Sequence, residues 1–450
     1  MSAYIPTRTS FLTMIVCARG GEVNQVVEFL MEIYDVCSSA MAREVKMMEI
    51  IFRILLLLFL LLFGVRVSIA QPAAHPLLTF FEAIPPSAAQ EQGSLLSYID
   101  YDVILGANET PALNAALSAD EHRAITELGQ WRANMMRIQV GDPLLLIAFF
   151  DPDDTLASAF GFSAWDIDQL VTVGQPPTNV DLMLGDFSYD AAVPAFSARG
   201  YAEAEVSGVP TLCSIDGCDQ GFMMNMALRD PTSPFGGNLG VRPPFAFLPD
   251  GMLITTRDVV ILGDLIAAEA GARRSLADDL QWNGLAGALT DGQWGLLGQA
   301  IFVTPLEAQY MPNIVNPNEG AAIEAILTET GDLPPFHVAA LADYDAGTEQ
   351  VHLIAAVYTD VATAEAAAAI LNARMTAFDA RDLLAEVGAT PIKPLTVAID
   401  GGAVALAGVR YPYVDIVDQD ALTTATQPGS IYRAWTRALY QRGFVPLLLR

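Results

Sequence analysis

The chain has 450 residues, 52 acidic against 23 basic, for a formal charge of −29. A field of that sign repels phosphate backbones and anionic surfaces, which argues against nucleic acid as a partner and leaves cations, basic proteins or plain solubility. At this length, with 52 % hydrophobic residues, two lobes are the prior expectation.

Near the start, Ile54 to Val65 (ILLLLFLLLFGV) is apolar and lies between Arg53 and Arg66. As a helix it would be about 18 Å long, too short for a hydrocarbon core of about 30 Å. Basic residues precede it (Arg43, Lys46, Arg53), and Ser68-Ile69-Ala70 follows with small residues at alternate positions. This is the pattern of a signal peptide over 41–70, cut between Ala70 and Gln71. An uncut anchor is the other reading, and the only way this chain would meet a membrane. Either way residues 71–450 lie outside the cytoplasm, secreted or held at the cell envelope. Residues 1–40 then form a cytoplasmic extension or precede the true start. They carry Cys17 and Cys37, which leaves Cys213 and Cys218 in the exported part. These two flank Ser214-Ile215-Asp216-Gly217, a turn by composition, and an oxidising compartment predicts a disulfide between them.

Residues 71–94, rich in Pro, Ala, Gln and Ser, read as a flexible leader to a first strand over Leu95 to Ile104. Ser118 and Glu121 form a capping pair, and Ile125, Leu128, Trp131, Met135 and Ile138 recur at helical steps. An apolar run, Leu144 to Phe150, leads into Asp151-Pro152-Asp153-Asp154-Thr155. That junction resembles the first motif of the haloacid-dehalogenase-like phosphohydrolases, a buried strand entering D-x-D-x-T. The resemblance covers about a dozen residues. It implies Asp151 as nucleophile, Asp153 as acid/base, Mg2+ between carboxylate and phosphate, Thr255 or Thr256 as the second motif, and Lys393 as the phosphate-binding cation. The later acidic motif is poorly met, with Asp400 the nearest strand-to-Asp step. Parallel βαβ units do not follow Asp151.

A hairpin followed by a helix then recurs. Asp168 to Val173 and Val180 to Leu184 precede a helix capped by Ser188 and stopped at Arg199-Gly200, after which the chain returns through Val209 to Cys213. Phe245 to Leu248 and Met252 to Thr255 precede Arg257 to Glu269. Phe336 to Asp343 and Gln350 to Tyr358 precede an alanine-rich helix capped by Asp360. Thr396 to Ile399 and Ala403 to Ala407 make a last hairpin around Asp400-Gly401-Gly402, and a helix runs from Ser430 to Arg442. The spacing predicts an α+β fold of repeated, ferredoxin-like hairpin-helix units, with antiparallel sheets covered by helices on one face. The Pro- and Asn-rich stretch from Pro305 separates two lobes, 95–304 and 336–450, joined by 305–335.

Other residues read as structural. His337 and His352 are offset on their hairpin rather than paired for a metal. Asp343 and Asp345 before Gly347 lack the remaining ligands of a calcium loop. In overall character, the segments Gly200 to Cys213, Phe245 to Asp279 and Tyr432 to Leu449 resemble exported bacterial proteins of unknown function with repeated ββα units. The reading that results is a non-catalytic binding or interaction protein needing no cofactor, its partner an unidentified protein or small molecule. The alternative is a magnesium-dependent phosphohydrolase using Asp151, Asp153 and Lys393.

Overall fold

A computed structural model describes residues 75–90, 95–107, 119–126, 129–140, 155–174, 179–219, 223–309, 317–378, 383–413 and 429–450. The Ala70/Gln71 junction, the run Leu144 to Phe150, and Asp151 with Asp153 lie outside them.

Among the described residues, twelve strands form one antiparallel sheet in the order β11-β12-β10-β9-β8-β1-β2-β3-β7-β6-β5-β4. They are β1 (Leu96–Asp100), β2 (Ile167–Val173), β3 (Val180–Gly185), β4 (Tyr201–Val206), β5 (Val209–Ser214) and β6 (Phe245–Phe247), then β7 (Met252–Thr256), β8 (Leu296–Val303), β9 (Ala339–Asp345), β10 (Glu349–Tyr358), β11 (Thr390–Ile399) and β12 (Gly402–Pro412). The α+β class holds, and a continuous sheet, rather than two lobes or ferredoxin-like units, is what the described residues show. The reason is local to the supposed boundary: β8 and β9, which flank 305–335, pair directly from Leu296↔Asp345 to Val303↔Ala339.

The hairpins nonetheless repeat in a different form. A single strand and two hairpins give the neighbour order β1-β2-β3 then β5-β4 on one side, and β8-β9-β10-β12-β11 on the other. The hairpin β6-β7 is inserted into the first arm between β3 and β5. The antiparallel pair β1·β8 joins the arms at the centre.

Helices cover both faces, not one. Before the centre of the sheet come α1 (Pro76–Ala83), α2 (Pro86–Gln90), α3 (Tyr101–Leu105), α4 (Ala119–Thr126), α5 (Gly129–Arg137), α6 (Thr155–Phe160) and α7 (Tyr189–Ala198). After it come α8 (Val259–Glu269), α9 (Leu280–Leu289), α10 (Pro317–Thr330), α11 (Val361–Ala377), α12 (Leu383–Glu386) and α13 (Ser430–Tyr440). One core gathers α5, α6, α7, α11 and α13 against Ile99, Leu170, Met183, Leu341 and Ile354. The other gathers α1, α8 and α9 against Tyr98, Leu182, Ala300, Ala342 and Leu353. The cause is visible in β10, where Gln350 to Tyr358 are all buried: a strand apolar on both sides needs cover on both.

The expected leader is structured in its described part. His75 caps α1 by accepting from Leu77 N, and Leu77, Phe80 and Phe81 are fully buried, which stabilises the fold by about 1.5–3 kcal/mol each. Elsewhere the expected caps are in place, with Ser188 Oγ accepting from Ala191 N and Asp360 Oδ1 from Thr363 N.

Candidate functional site

The register of the sheet sets three polar side chains in one row. Gln299 on β8 lies opposite Asp343 on β9, which lies opposite His352 on β10. Ile99 and Val409 continue the row on either side, on the face covered by α5 and α13. Arg137, the last residue of α5, reaches down onto it. A cation there also faces the carbonyl end of its own helix.

Asp343 is satisfied on both oxygens. Arg137 Nε donates to Oδ2 at 2.8 Å and Nη2 to Oδ1 at 2.7 Å, while Gln299 Nε2 donates to Oδ2 at 2.8 Å. His352 Nδ1 stands 3.0 Å from Oδ1, off the line of an ideal hydrogen bond. The guanidinium also donates to Tyr344 O at 2.8 Å and to the Tyr413 hydroxyl. Gln299 ties the helix end to β8, donating to Arg137 O and accepting from Gln139 N, each at 2.9 Å. On the far side His352 Nε2 lies 2.7 Å from Tyr411 Oη, and Gln350 Oε1 accepts from Gly429 N at 2.7 Å at the start of α13. Gly429 has φ 68°, and a Cβ there would meet Arg137 Cγ at 2.7 Å, so both geometry and space call for glycine.

Arg137, Gln299, Asp343 and His352 have no exposed surface. Burial alone would raise the Asp343 pKa, but the adjacent guanidinium and His352 hold it well below the usual carboxylate range. Burial would lower that of Arg137, and Asp343 drives it up instead, so the pair stays ionised. His352 is pushed below its ordinary value by burial, against the pull of Asp343. It is therefore neutral near pH 7, and the cluster balances one guanidinium with one carboxylate. The His352 ring lies between the Asp343 carboxylate and the Tyr411 hydroxyl, which itself donates to Gln350 Oε1 at 3.1 Å. The residue types are those of an acid–base relay. With no surface open to a substrate, they act as a brace that fastens α5 and α13 to β8, β9, β10 and β12.

A second buried cation works alike. Arg374 on α11 donates to Thr330 Oγ1 and Gly331 O at the carbonyl end of α10, and to Val445 O and Leu448 O. Burial pulls its pKa down to about 10, so it remains charged and holds the last residues in place.

The open recess lies at the ends of β8, β9, β10 and β12. Gly292 to Leu296, Asp345 to Gly347, Val351 and Arg410 enclose about 520 Å³. Its wall is mainly apolar, and Arg410 lies 3.7 Å from Glu349 at the rim.

Among the described residues singled out in the sequence, Thr255 and Lys393 do not converge. Thr255 is on β7 and Lys393 on β11, eight strand positions apart in the sheet, or about 38 Å at the usual strand spacing. Asp400 occupies the turn between β11 and β12. Cys213 and Cys218 are joined by a disulfide. Asp343 and His352, passed over as metal ligands, are instead partners of each other. Strand parity carries that signal, since Asp343 shares the face of Ala339 and Leu341, and His352 that of Ile354 and Ala356. Nothing local marks Arg137.

No protein-family model matches the chain, and no curated protein matches it. Among solved structures, TP0453 in its crystal form I is similar over 78 % of this chain and 96 % of its own, with 7 % identity and a TM-score of 0.29.

Proposed function

We propose that the protein is a non-catalytic binding protein that works outside the cytoplasm and meets a protein or small-molecule partner at its surface. The observation that carries this reading is the closure of the Arg137–Asp343–His352 cluster. Its side chains have the makeup of an acid–base site, yet they are fully buried and spent on holding helices to the sheet. The Cys213–Cys218 bond supports the location, because disulfides persist in oxidising compartments. The net charge of −29 argues against nucleic acid as the partner. The recess beside Arg410 offers a small molecule an apolar wall with one ion pair at its rim.

The test is turnover. Incubated with a generic phosphomonoester and Mg2+, the full chain is expected to show no magnesium-dependent hydrolysis, and Asp151→Asn to behave as wild type. Hydrolysis that disappears in Asp151→Asn would replace this reading with a phosphohydrolase acting through Asp151 and Asp153.

A further inference from the structure

The two outermost strands of the sheet are built differently. β11 is guarded: Pro391 and Pro394 lack backbone donors, Lys393 puts a charge on the edge, and the register shifts between Ile392 and Leu395. β4 carries charges too, Glu203 and Glu205, but it has no proline and no register shift. Its register with β5 runs unbroken from Tyr201↔Ser214 to Val206↔Val209. The loop between them is the two-residue turn Ser207–Gly208, which makes Val206 and Val209 a hydrogen-bonded pair. Alternation then assigns Ala204 and Ala202 to bonds with β5, and Ile215 N donating to Gly200 O extends the same phase. The N–H and C=O groups of Tyr201, Glu203 and Glu205 therefore point away from β5, beyond the last strand among the described residues.

The side chains of β4 describe what would fit. Glu203 and Glu205 are exposed on one face, spaced by two. Ala202, Ala204 and Val206 occupy the other, with Ala202 exposed and Val206 packed against the core. We infer that β4 accepts, by strand addition, an extended segment of a partner protein in which Lys or Arg alternates with apolar residues. Charge complementarity selects that occupant: two carboxylates stand on the edge of a chain with net charge −29. A second copy pairing β4 with β4 would set Glu203 and Glu205 against each other and be repelled. This inference rests on the reading of the protein as an interaction partner and names one surface for it.

The probe is a labelled, end-capped peptide of about ten residues alternating Lys and Val, titrated into the full chain by fluorescence anisotropy, with amide hydrogen exchange on the mixture. Binding that weakens with added salt is expected, with slowed exchange at Tyr201, Glu203 and Glu205 and no change along β11. The Glu203→Lys/Glu205→Lys variant should bind at least about tenfold more weakly. A probe N-methylated at alternate residues, unable to donate ladder bonds, should not bind the wild-type chain; this comparison needs no variant to fold. Equal binding of the methylated probe, equal binding by the double variant, protection elsewhere, or no binding at about 1 mM would each overturn the assignment. Such a failure removes only this surface, whereas magnesium-dependent turnover would remove the binding-protein reading whether or not the probe docks.

Discussion

One row of side chains crosses most of the sheet and changes character at its centre. In the β8–β12 arm it reads Gln299, Asp343, His352, and in the arm that begins with β1 it reads Ile99, Leu170, Met183, Leu253. The strand order is alike in the two arms, and both halves of the row lie on the same helix-covered face. In the first arm the cover is held by aromatic packing: Phe245 meets Phe196, Phe235, Phe160 and Tyr201 with ring centroids 4.9, 5.0, 6.1 and 6.0 Å away. In the second it is held by a buried ion pair. Truncating a ring opens a cavity but leaves no group unpaired. Removing one member of an ion pair strands a charge where water cannot reach it.

That contrast sets the largest expected effect. Asp343→Leu or Arg137→Met alone should cost about 3–5 kcal/mol, measured as the shift of the urea midpoint. The double variant Arg137→Met/Asp343→Leu makes this stretch of the row resemble the other arm and should recover more than half of the loss. Phe245→Ala should cost about 3–5 kcal/mol by opening a cavity, with no partner whose removal restores it. If the double variant lost the sum of its single costs, the brace would be worth more than its replacement by packing, and the comparison would fail.

The arms also respond to acid with opposite sign. Asp343 has a depressed pKa in the fold, so its contribution is present above the ordinary carboxylate value and lost as pH falls through its folded value. His352, depressed below 6.5, likewise loses stability as the unfolded chain takes up a proton below that pH. Asp100, at the end of β1, is raised to about 6 by burial, against hydrogen bonds from Val103 N, Tyr98 Oη and Gln169 Nε2. Its contribution is complete below about 4 and is lost as pH rises through about 6. Asp100→Asn keeps an acceptor for the start of α3 and should raise stability at pH 7 by about 1–3 kcal/mol. It should also steepen the loss between pH 6 and pH 4, because the offsetting gain is gone. An unchanged slope in chemical denaturation across that window would show that Asp100 does not titrate in the fold.

How much of this was legible beforehand follows from what each segment displays. β2, β3, β7, β9 and β10 carry clear apolar runs closed by turn residues, and Ser188 and Asp360 stand where helix caps belong. β8 was not legible: Gly298 and Gln299 interrupt Leu296 to Val303, and the polar member is there for Asp343. Nor was β4, whose alternating Ala and Glu suit an edge and lack the apolar face that marks a strand. α1 was masked by its prolines and alanines, although Leu77, Phe80 and Phe81 were in view. The brace is half legible. Strand parity places Asp343 and His352 on a buried face, and a buried carboxylate requires a cation. Only the fold shows that the cation comes from Arg137, 206 residues away.

The smallest effect concerns the turns that close the outer hairpins of the two arms. Between β4 and β5, Ser207 has φ 52° and Gly208 φ 85°, so both central residues take the left-handed conformation of a type I′ turn. Between β11 and β12 only Gly401, with φ 83°, does so among Asp400 and Gly401. Asn tolerates the left-handed region better than Ser, because its short amide bonds to the local backbone. Ser207→Asn should therefore stabilise the protein by a few tenths to about 0.5 kcal/mol, seen as a higher urea midpoint at constant slope. Ser207→Val, branched at Cβ, should cost on the order of 1–2 kcal/mol. Asp400→Asn, at a position without positive φ, should change the midpoint by less than either. Equal gains at Ser207 and Asp400 would mean that the two turns share one geometry and that the outer hairpins differ only in their edges.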